Sequence, residues 1–317
     1  MTLSAPAPTQ DAFLGIDASL TGRRWEGPDA AAMRAIAALA QQTGLPEQVC
    51  RILARAGVAP GQAEAYLSPR LRELMPDPSH LRDLDRAVAV MQTHLARGSR
   101  IAVFADYDVD GACSAALLHA WLGALGQAPT VYVPDRVDEG YGPNTPAMEA
   151  LAADHALILC VDCGTLSHEP IAAAQAKGAE VLVLDHHLGG ETLPKAQAVI
   201  NPNRQDETSE LTNLCAAGVV YLFLVALNRA RRQSGQTAPD LMALLDLVAL
   251  GTVCDVVPLT GLNRAFVTKG LVAARHLGNP GLSSLARVAA IGEPLNPFHF
   301  GFLIGQAGKS LHHTRLL

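Results

Sequence analysis

Between residues 100 and 203 five short apolar runs, RIAVFAD, PTVYVPD, ALILCVD, AEVLVLD and QAVINPN, alternate with stretches of helical spacing such as CSAALLHAWLGAL, TPAMEALAAD and HEPIAAAQAKG. Strands that read as continuous apolar runs need cover on both faces, and helix-length connections let neighbouring strands pair in the same direction. The pattern predicts an α/β fold, a mostly parallel five-stranded sheet flanked by helices, over residues 99–205. Ligands of such sheets gather outside the carboxyl ends of the strands. Four of the five runs end there in a carboxylate, Asp106, Asp135, Asp162 and Asp185, so the fold itself points to acidic chemistry.

The flanking sequence is helical. Residues 1–20 are rich in Ala, Pro and Thr without periodicity and are expected to form a disordered lead-in. Residues 21–98 are expected to form a helical N-terminal segment: PDAAAMRAIAALAQQTG stops at Gly44, LPEQVCRILARAG at Gly57, and DLDRAVAVMQTHLARG is expected to be capped by Asp83 and closed by Gly98. Residues 206–305 are expected to complete the α/β domain with helices AAGVVYLFLVALNRARRQ, PDLMALLDLVALGTVCDVV and NRAFVTKGLVAARHLG. The second of these is apolar on most sides and so should be central. Residues 306–317 form an atypical tail.

Composition narrows the function. With 317 residues, 49% of them hydrophobic, the chain can bury a substantial core, yet it shows no uninterrupted membrane-length apolar span and no N-terminal signal pattern. A cytoplasmic location is expected. The six cysteines, Cys50, Cys113, Cys160, Cys163, Cys215 and Cys254, are scattered, several of them within apolar runs, so disulfides are not expected. Cys160 and Cys163 form a C-x-x-C, but without a second metal-spaced pair they are read as core thiols rather than a redox or zinc motif. A net charge of -6 and 4% aromatic residues argue against holding nucleic acid by diffuse phosphate neutralisation or by base-stacking platforms. A polyanionic substrate would need metal ions or another domain.

The chemistry concentrates in four places. FADYDVDG sets Asp106, Asp108 and Asp110 at every second position after a buried strand. Carboxylates this close repel one another unless a cation lies among them, and hard divalent ions prefer such oxygen ligands. An exposed acidic turn or a Ca²⁺ loop is the alternative for this stretch alone; the EF-hand version fails because apolar ACSAALL follows the glycine. VLDHHLGG offers the adjacent imidazoles of His186 and His187 beyond Asp185, a donor type that suits Mn²⁺ better than Mg²⁺. Asp162 in VDCGT and Asp255 in TVCDVVPL complete the set, each also explicable alone as a cap or turn residue. Arg136 and Tyr141 in RVDEGYGPN, and Arg264 in GLNRAF, are candidate phosphate or base contacts, with a Gly/Pro-held surface loop or a helix cap as the alternative.

The order D-x-D-x-D-G, D-C-G, D-H-H and a distal Asp resembles the DHH phosphoesterase superfamily, and the wider wording resembles its bacterial single-stranded-DNA-specific exonucleases. That wording comprises TGRRW, LMPDPSHLRDLDRAV, FADYDVDGACSAALL, PDRVDEGYGPN, VLDHH, LPKAQAVINPNR, AAGVVY and LDLVALGTVCDVVPLTGLNR, from about residue 20 to about residue 305. The resemblance implies a hydrolase, a 5′ to 3′ exonuclease acting on single-stranded DNA in repair and recombination. It implies two divalent cations, Mn²⁺ or Mg²⁺, held by Asp106, Asp108, Asp110, Asp162, His186 and Asp255, with Asp162 bridging. It also implies Asp185 orienting its neighbour or completing the shell, and His187 facing the scissile phosphate. In that mechanism a metal-activated water attacks phosphorus and the cations stabilise the developing charge. Helicase or single-strand-binding protein partners are implied, no membrane is, and a monomer is expected.

The resemblance breaks at Gly305, where the family continues into a second domain; the sequence expectation is a catalytic part truncated before that domain, impaired or inactive as a consequence. His312 and His313 in the tail are read as solvated rather than as a metal motif. Hydrolysis of short oligonucleotides or small phosphates is the alternative activity, and an inactive remnant the alternative to an enzyme.

Overall fold

A computed structural model describes residues 12–276 and 278–305. The tail expected over residues 306–317, with His312 and His313, and the first eleven residues of the expected lead-in lie outside the described residues. The described part of the lead-in is not featureless: a 3₁₀ turn at Phe13–Gly15 is tied back by Phe13 N–H to the Trp25 carbonyl (2.9 Å) and Trp25 N–H to the Ile16 carbonyl (3.0 Å).

The chain divides into two compact units, Met1–Ser68 and Pro69–Leu317. The expected 21–98 segment is therefore split: residues 69–98 pack with the α/β unit rather than with the leading helices. In the first unit, α1 (Ala30–Thr43) starts where the Asp29 carboxylate accepts from Ala32 N–H (2.7 Å) and ends at Gly44 in the left-handed region. It packs on α2 (Glu47–Arg55), with α3 (Ala63–Leu67) following, around Ile36, Leu39, Cys50, Leu53 and Ala63.

The second unit begins with α4 (Leu71–Leu74) and α5 (Leu84–Arg97) and then alternates strand and helix as far as β4, with β5 following without a helix: β1 (Ile101–Ala105), α6 (Val109–Ala124), β2 (Thr130–Tyr132), α7 (Thr145–Asp154), β3 (Leu157–Val161), α8 (His168–Ala176), β4 (Glu180–Leu184) and β5 (Ala198–Ile200). The five strands form one all-parallel sheet in the order β2-β1-β3-β4-β5, as the alternating pattern predicts. Val103, Leu159 and Leu182 face one apolar layer with α5, α6 and the later helices, while Phe104, Cys160 and Val183 face a second with α7 and α8. Both faces of β1, β3, β4 and β5 are covered, which is why those runs do not alternate with polar residues, whereas β2 at the edge is largely exposed.

Helices α9 (Ala216–Gln233), α10 (Leu245–Cys254), α11 (Gly261–Ala274) and α12 (Pro280–Val288) complete the unit, followed by a π-helical turn at His299–Ile304. The central position expected of the second helical stretch holds: Leu245, Val248 and Ala249 of α10 are buried, although Met242–Leu244 form a separate 3₁₀ turn before it. Asp83 corrects the expected cap. Its own φ is 61° and its side chain makes no capping bond to α5; it accepts instead from Val199 N–H (3.2 Å) and Arg204 Nη1 (3.0 Å). All six cysteines are free, and Cys160 and Cys163 are buried, as the core reading holds. Among the described residues no helix is long and apolar enough to cross a membrane.

Strand register sets the functional edge. Ala105 pairs with Val161, and Val161 with Leu184, so the next residue on each strand, Asp106, Asp162 and Asp185, arrives at the same level. Their amides continue the ladder, Asp106 to the Val161 carbonyl (3.2 Å), Asp162 to Leu184 (3.0 Å) and Asp185 to Ile200 (3.0 Å). The chain leaves β1 toward β2 on one side and returns to β3 on the other, which opens a crevice at the carboxyl ends of β1 and β3.

Candidate metal centre

Into that crevice the first motif turns directly from strand to helix. Asp108 is the N-cap of α6, its Oδ1 accepting from Asp110 N–H (2.8 Å) and Gly111 N–H (3.0 Å). Gly111 is required here because a Cβ would lie 2.4 Å from the Asp106 carbonyl oxygen. Asp110, in the first turn of α6, is buried and reaches the start of α9, where Ala216 N–H (2.6 Å) and Ala217 N–H (3.0 Å) donate to its two oxygens. Amides at a helix N-terminus suit an anion, so one carboxylate fixes α9 against α6.

From β3 comes Asp162, buried and at φ 60°, a left-handed conformation that Asp tolerates better than most residues. From β4 come Asp185, His186 and His187. Asp185 is fully engaged: its Oδ1 accepts from His186 N–H (2.7 Å), His187 N–H (3.2 Å) and His187 Nδ1 (2.8 Å), and its Oδ2 accepts from Thr165 N–H (3.0 Å). It shapes the turn that aims the two imidazoles. The C-terminal end of α10 supplies Asp255.

These side chains converge. His186 Nε2 lies 3.3 Å from Asp162 Oδ1, 3.7 Å from Asp255 Oδ2 and 4.0 Å from Asp110 Oδ2. Three overlapping donor groups, Asp106–Asp108–Asp162, Asp110–His186–Asp255 and Asp162–His186–His187, each place their ligand atoms within 4.8 Å of one another. Asp106 Oδ1, Asp162 Oδ1, His186 Nε2 and Asp255 Oδ2 are buried with no hydrogen-bond partner. Buried polar atoms are normally satisfied, so four orphans aimed at one another mark a place built for a cation. Carboxylate oxygens with one imidazole nitrogen fit Mn²⁺ or Mg²⁺.

Electrostatics agree with that fit. Burial, reinforced by the charge of Asp108, pushes the Asp106 and Asp255 carboxyls up to about 6. Burial also raises Asp110, next to Asp255, and raises Asp162 further, next to Asp110 and Asp108. Asp185 goes the other way: burial would raise it, but the His187 hydrogen bond and charge, with Thr165, hold it at about 2. The same bond raises His187, whereas burial and its cationic neighbour lower His186, favouring the neutral, ligand form of that ring.

The remaining candidates sit at the rim. The Tyr141 hydroxyl donates to the Asp162 carbonyl (3.2 Å) and stands 3.1 Å from His187 Nδ1. Arg136 lies outside the donor groups, its guanidinium 5.3 Å above the Tyr107 ring. Arg264 is in the first turn of α11, half-buried. Asp135, the fourth strand-end carboxylate, is spent on a turn, accepting from Val137 N–H (2.8 Å) and Asp138 N–H (3.1 Å).

Sequence reasoning gave no role to the residues beneath the histidines. Asn201 Nδ2 donates to the His187 carbonyl (2.8 Å) and Thr165 Oγ1 (2.8 Å), and Asn203 Nδ2 donates to the His186 carbonyl (2.6 Å) and the Thr212 carbonyl (3.1 Å). The N-P-N after the fifth apolar run was the available signal. Gly251 was also unmarked; a Cβ there would stand 2.6 Å from Asp110 Oδ1.

Residues 100–252 match the DHH family, N-terminal domain, which ends three residues before Asp255. The single-stranded-DNA-specific exonuclease RecJ of Dickeya dadantii (strain 3937) is 40% identical over 254 residues, 77% of this chain and 43% of that protein. A crystal structure of exonuclease RecJ bound to manganese is 34% identical with a TM-score of 0.64, over 73% of this chain and 57% of that one. RecJ in complex with Mn²⁺ from Thermus thermophilus is 29% identical with a TM-score of 0.69, over 90% of this chain and 41% of that one. The chain thus spans less than half the length of the curated relative it matches. By sequence and by fold, residues 100–252 of this chain are a DHH family domain.

Proposed function

We propose that the chain is the catalytic part of a metal-dependent 5′ to 3′ exonuclease that hydrolyses phosphodiester bonds of single-stranded DNA. The carrying observation is the convergence of four unpartnered buried donors from β1, β3, β4 and α10. Asp106, Asp108, Asp110, Asp162, His186 and Asp255 would hold two divalent cations, Mn²⁺ or Mg²⁺. Cations there would supply a deprotonated water at neutral pH and positive charge opposite a reacting phosphate.

The chain's own residues do the rest. Asp185 turns both imidazoles and keeps His187 a proton-bearing donor at the open side, its side chain 46% exposed while that of His186 is 14% exposed. The Tyr141 hydroxyl braces the His187 ring. Tyr141, Arg136 and Arg264 are the proposed substrate contacts beyond the metals. A net charge of -6 leaves the acidic centre dependent on its cations to accept a phosphate at all.

That charge also favours a second reading, hydrolysis of short oligonucleotides or small phosphates, which need no extended basic track. Incubating the protein with Mn²⁺ and either a 5′-phosphorylated single strand or dinucleotides and pyrophosphate distinguishes the two. Mononucleotides released from the 5′ end support the exonuclease. Turnover of the small substrates alone supports the second reading, and hydrolysis of neither overturns both.

A further inference from the structure

Beside Asp108, among α6, α10 and α12, lies a cavity of about 380 Å³, within the roughly 300–1,000 Å³ range of small-ligand sites. Its walls are Ala112 and Ala116 of α6, Leu247 and Leu250 of α10, and Leu282 and Leu285 of α12. Asp108 is shared with the acidic cluster, so a group in the cavity is one residue away from the proposed metals. Tyr107 lines the same cavity. Its ring carries Arg136 on one face and meets Tyr141 edge-on at 6.4 Å, and Tyr141 in turn meets His187 at 5.6 Å between ring centroids.

We propose that this cavity receives one unstacked nucleobase of the nucleotide whose phosphate lies at the acidic cluster, an inference that rests on the metal reading above. The cavity and the cluster share Asp108, and the cavity's aliphatic walls match the flat apolar faces of a base. Those walls offer few groups to read a base edge, so the cavity accepts bases with little regard to sequence. A base that is paired and stacked in a duplex cannot enter, which makes the fit a selection for single strands.

The test uses the whole chain and probes the cavity without metal. Titrating 2′-deoxyadenosine alone is expected to shift the methyl resonances of Leu247, Leu282 and Leu285. Ala112→Trp, at an exposed position of α6, and Leu285→Trp, on the facing wall, are each expected to abolish that shift. With Mn²⁺ present, deoxyadenosine 5′-monophosphate is expected to bind about tenfold more tightly than deoxyribose 5-phosphate, a difference within the range of base burial, and both variants should erase it. No methyl shift in the unaltered protein, equal binding of the two phosphates, or a shift that survives in folded variants overturns the proposal. So does a concentration-dependent dimer whose formation, rather than nucleoside, protects those methyls. Nucleoside binding without Mn²⁺ binding would instead retain the cavity and reject the metal reading.

Discussion

His186 Nε2 and Asp162 Oδ1 stand 3.3 Å apart, both buried, and neither makes a hydrogen bond. An imidazole nitrogen and a carboxylate oxygen at that separation would share a proton if aligned for it; left unshared, they are poised for a third party. The rest of the centre repeats the relationship with Asp106 and Asp255.

Asp162→Asn tests one of the two residues, the other being His186, that belong to two of the three donor groups. Asparagine tolerates the left-handed backbone, so the fold should survive, and removing a buried charge beside Asp110 and Asp108 should leave the metal-free protein as stable or more so. Mn²⁺ affinity by calorimetry is expected to fall at least about 100-fold, at the upper end of what outer contacts alone cost. Unchanged affinity would remove Asp162 from the metal set.

The pH dependence has a definite sign. A carboxyl whose folded pKa exceeds its unfolded value contributes stability that is fully present below the unfolded value and lost as pH rises through the folded one. For Asp106 that window runs from 3.8 to about 6. In metal-free protein, Asp106→Asn is expected to be more stable than the unaltered chain at pH 7 by on the order of 2 kcal/mol, with the advantage vanishing toward pH 4. Asp185 does not intrude, because its contribution is lost only as pH falls from 3.8 toward about 2. Denaturant titrations at a series of pH values measure the difference; a constant difference would contradict the burial argument.

Metal affinity should follow the same protons in the other direction. Ligand carboxylates must be ionised to bind, so Mn²⁺ affinity is expected to fall steeply as pH drops below about 6, where Asp106 and Asp255 take up protons. A flat calorimetric profile between pH 5 and pH 7 would count against both residues as ligands.

Two backbone supports can be tested away from the donors. Gly251→Ala brings a Cβ to 2.6 Å from Asp110 Oδ1 and 2.9 Å from Ala217 Cβ, an overpacking expected to cost about 1–3 kcal/mol and to weaken Mn²⁺ binding through Asp110. Asn203→Ala leaves the His186 and Thr212 carbonyls without their donor, at about 1–3 kcal/mol, with Mn²⁺ affinity lower by roughly tenfold. Denaturation midpoints and calorimetry on the two variants check both effects; stability loss without any metal effect would make them merely structural.

How much of this was legible follows from where each interaction lies along the chain. Strands and their terminal carboxylates were readable because an apolar run and the Asp that ends it are adjacent in sequence. That Asp106, Asp162 and Asp185 arrive level depends on register between distant strands, which no local pattern states. Asp83 misled because an Asp before a helix is a good cap, yet partners 116 and 121 positions away, Val199 N–H and Arg204, hold its carboxylate. Asn201 and Asn203 passed without a role because they carry no charge and act through backbone carbonyls. The boundary at Ser68 was hidden for a similar reason: α5 looks like its predecessors but packs against β5 and α9.

Manganese located by anomalous scattering in crystals of the Mn²⁺-loaded protein tests the centre most directly. Two peaks are expected within coordination distance of donors drawn from Asp106, Asp108, Asp110, Asp162, His186 and Asp255. Saturated crystals with no peak among these side chains, or with manganese held elsewhere on the chain, would contradict the centre described here.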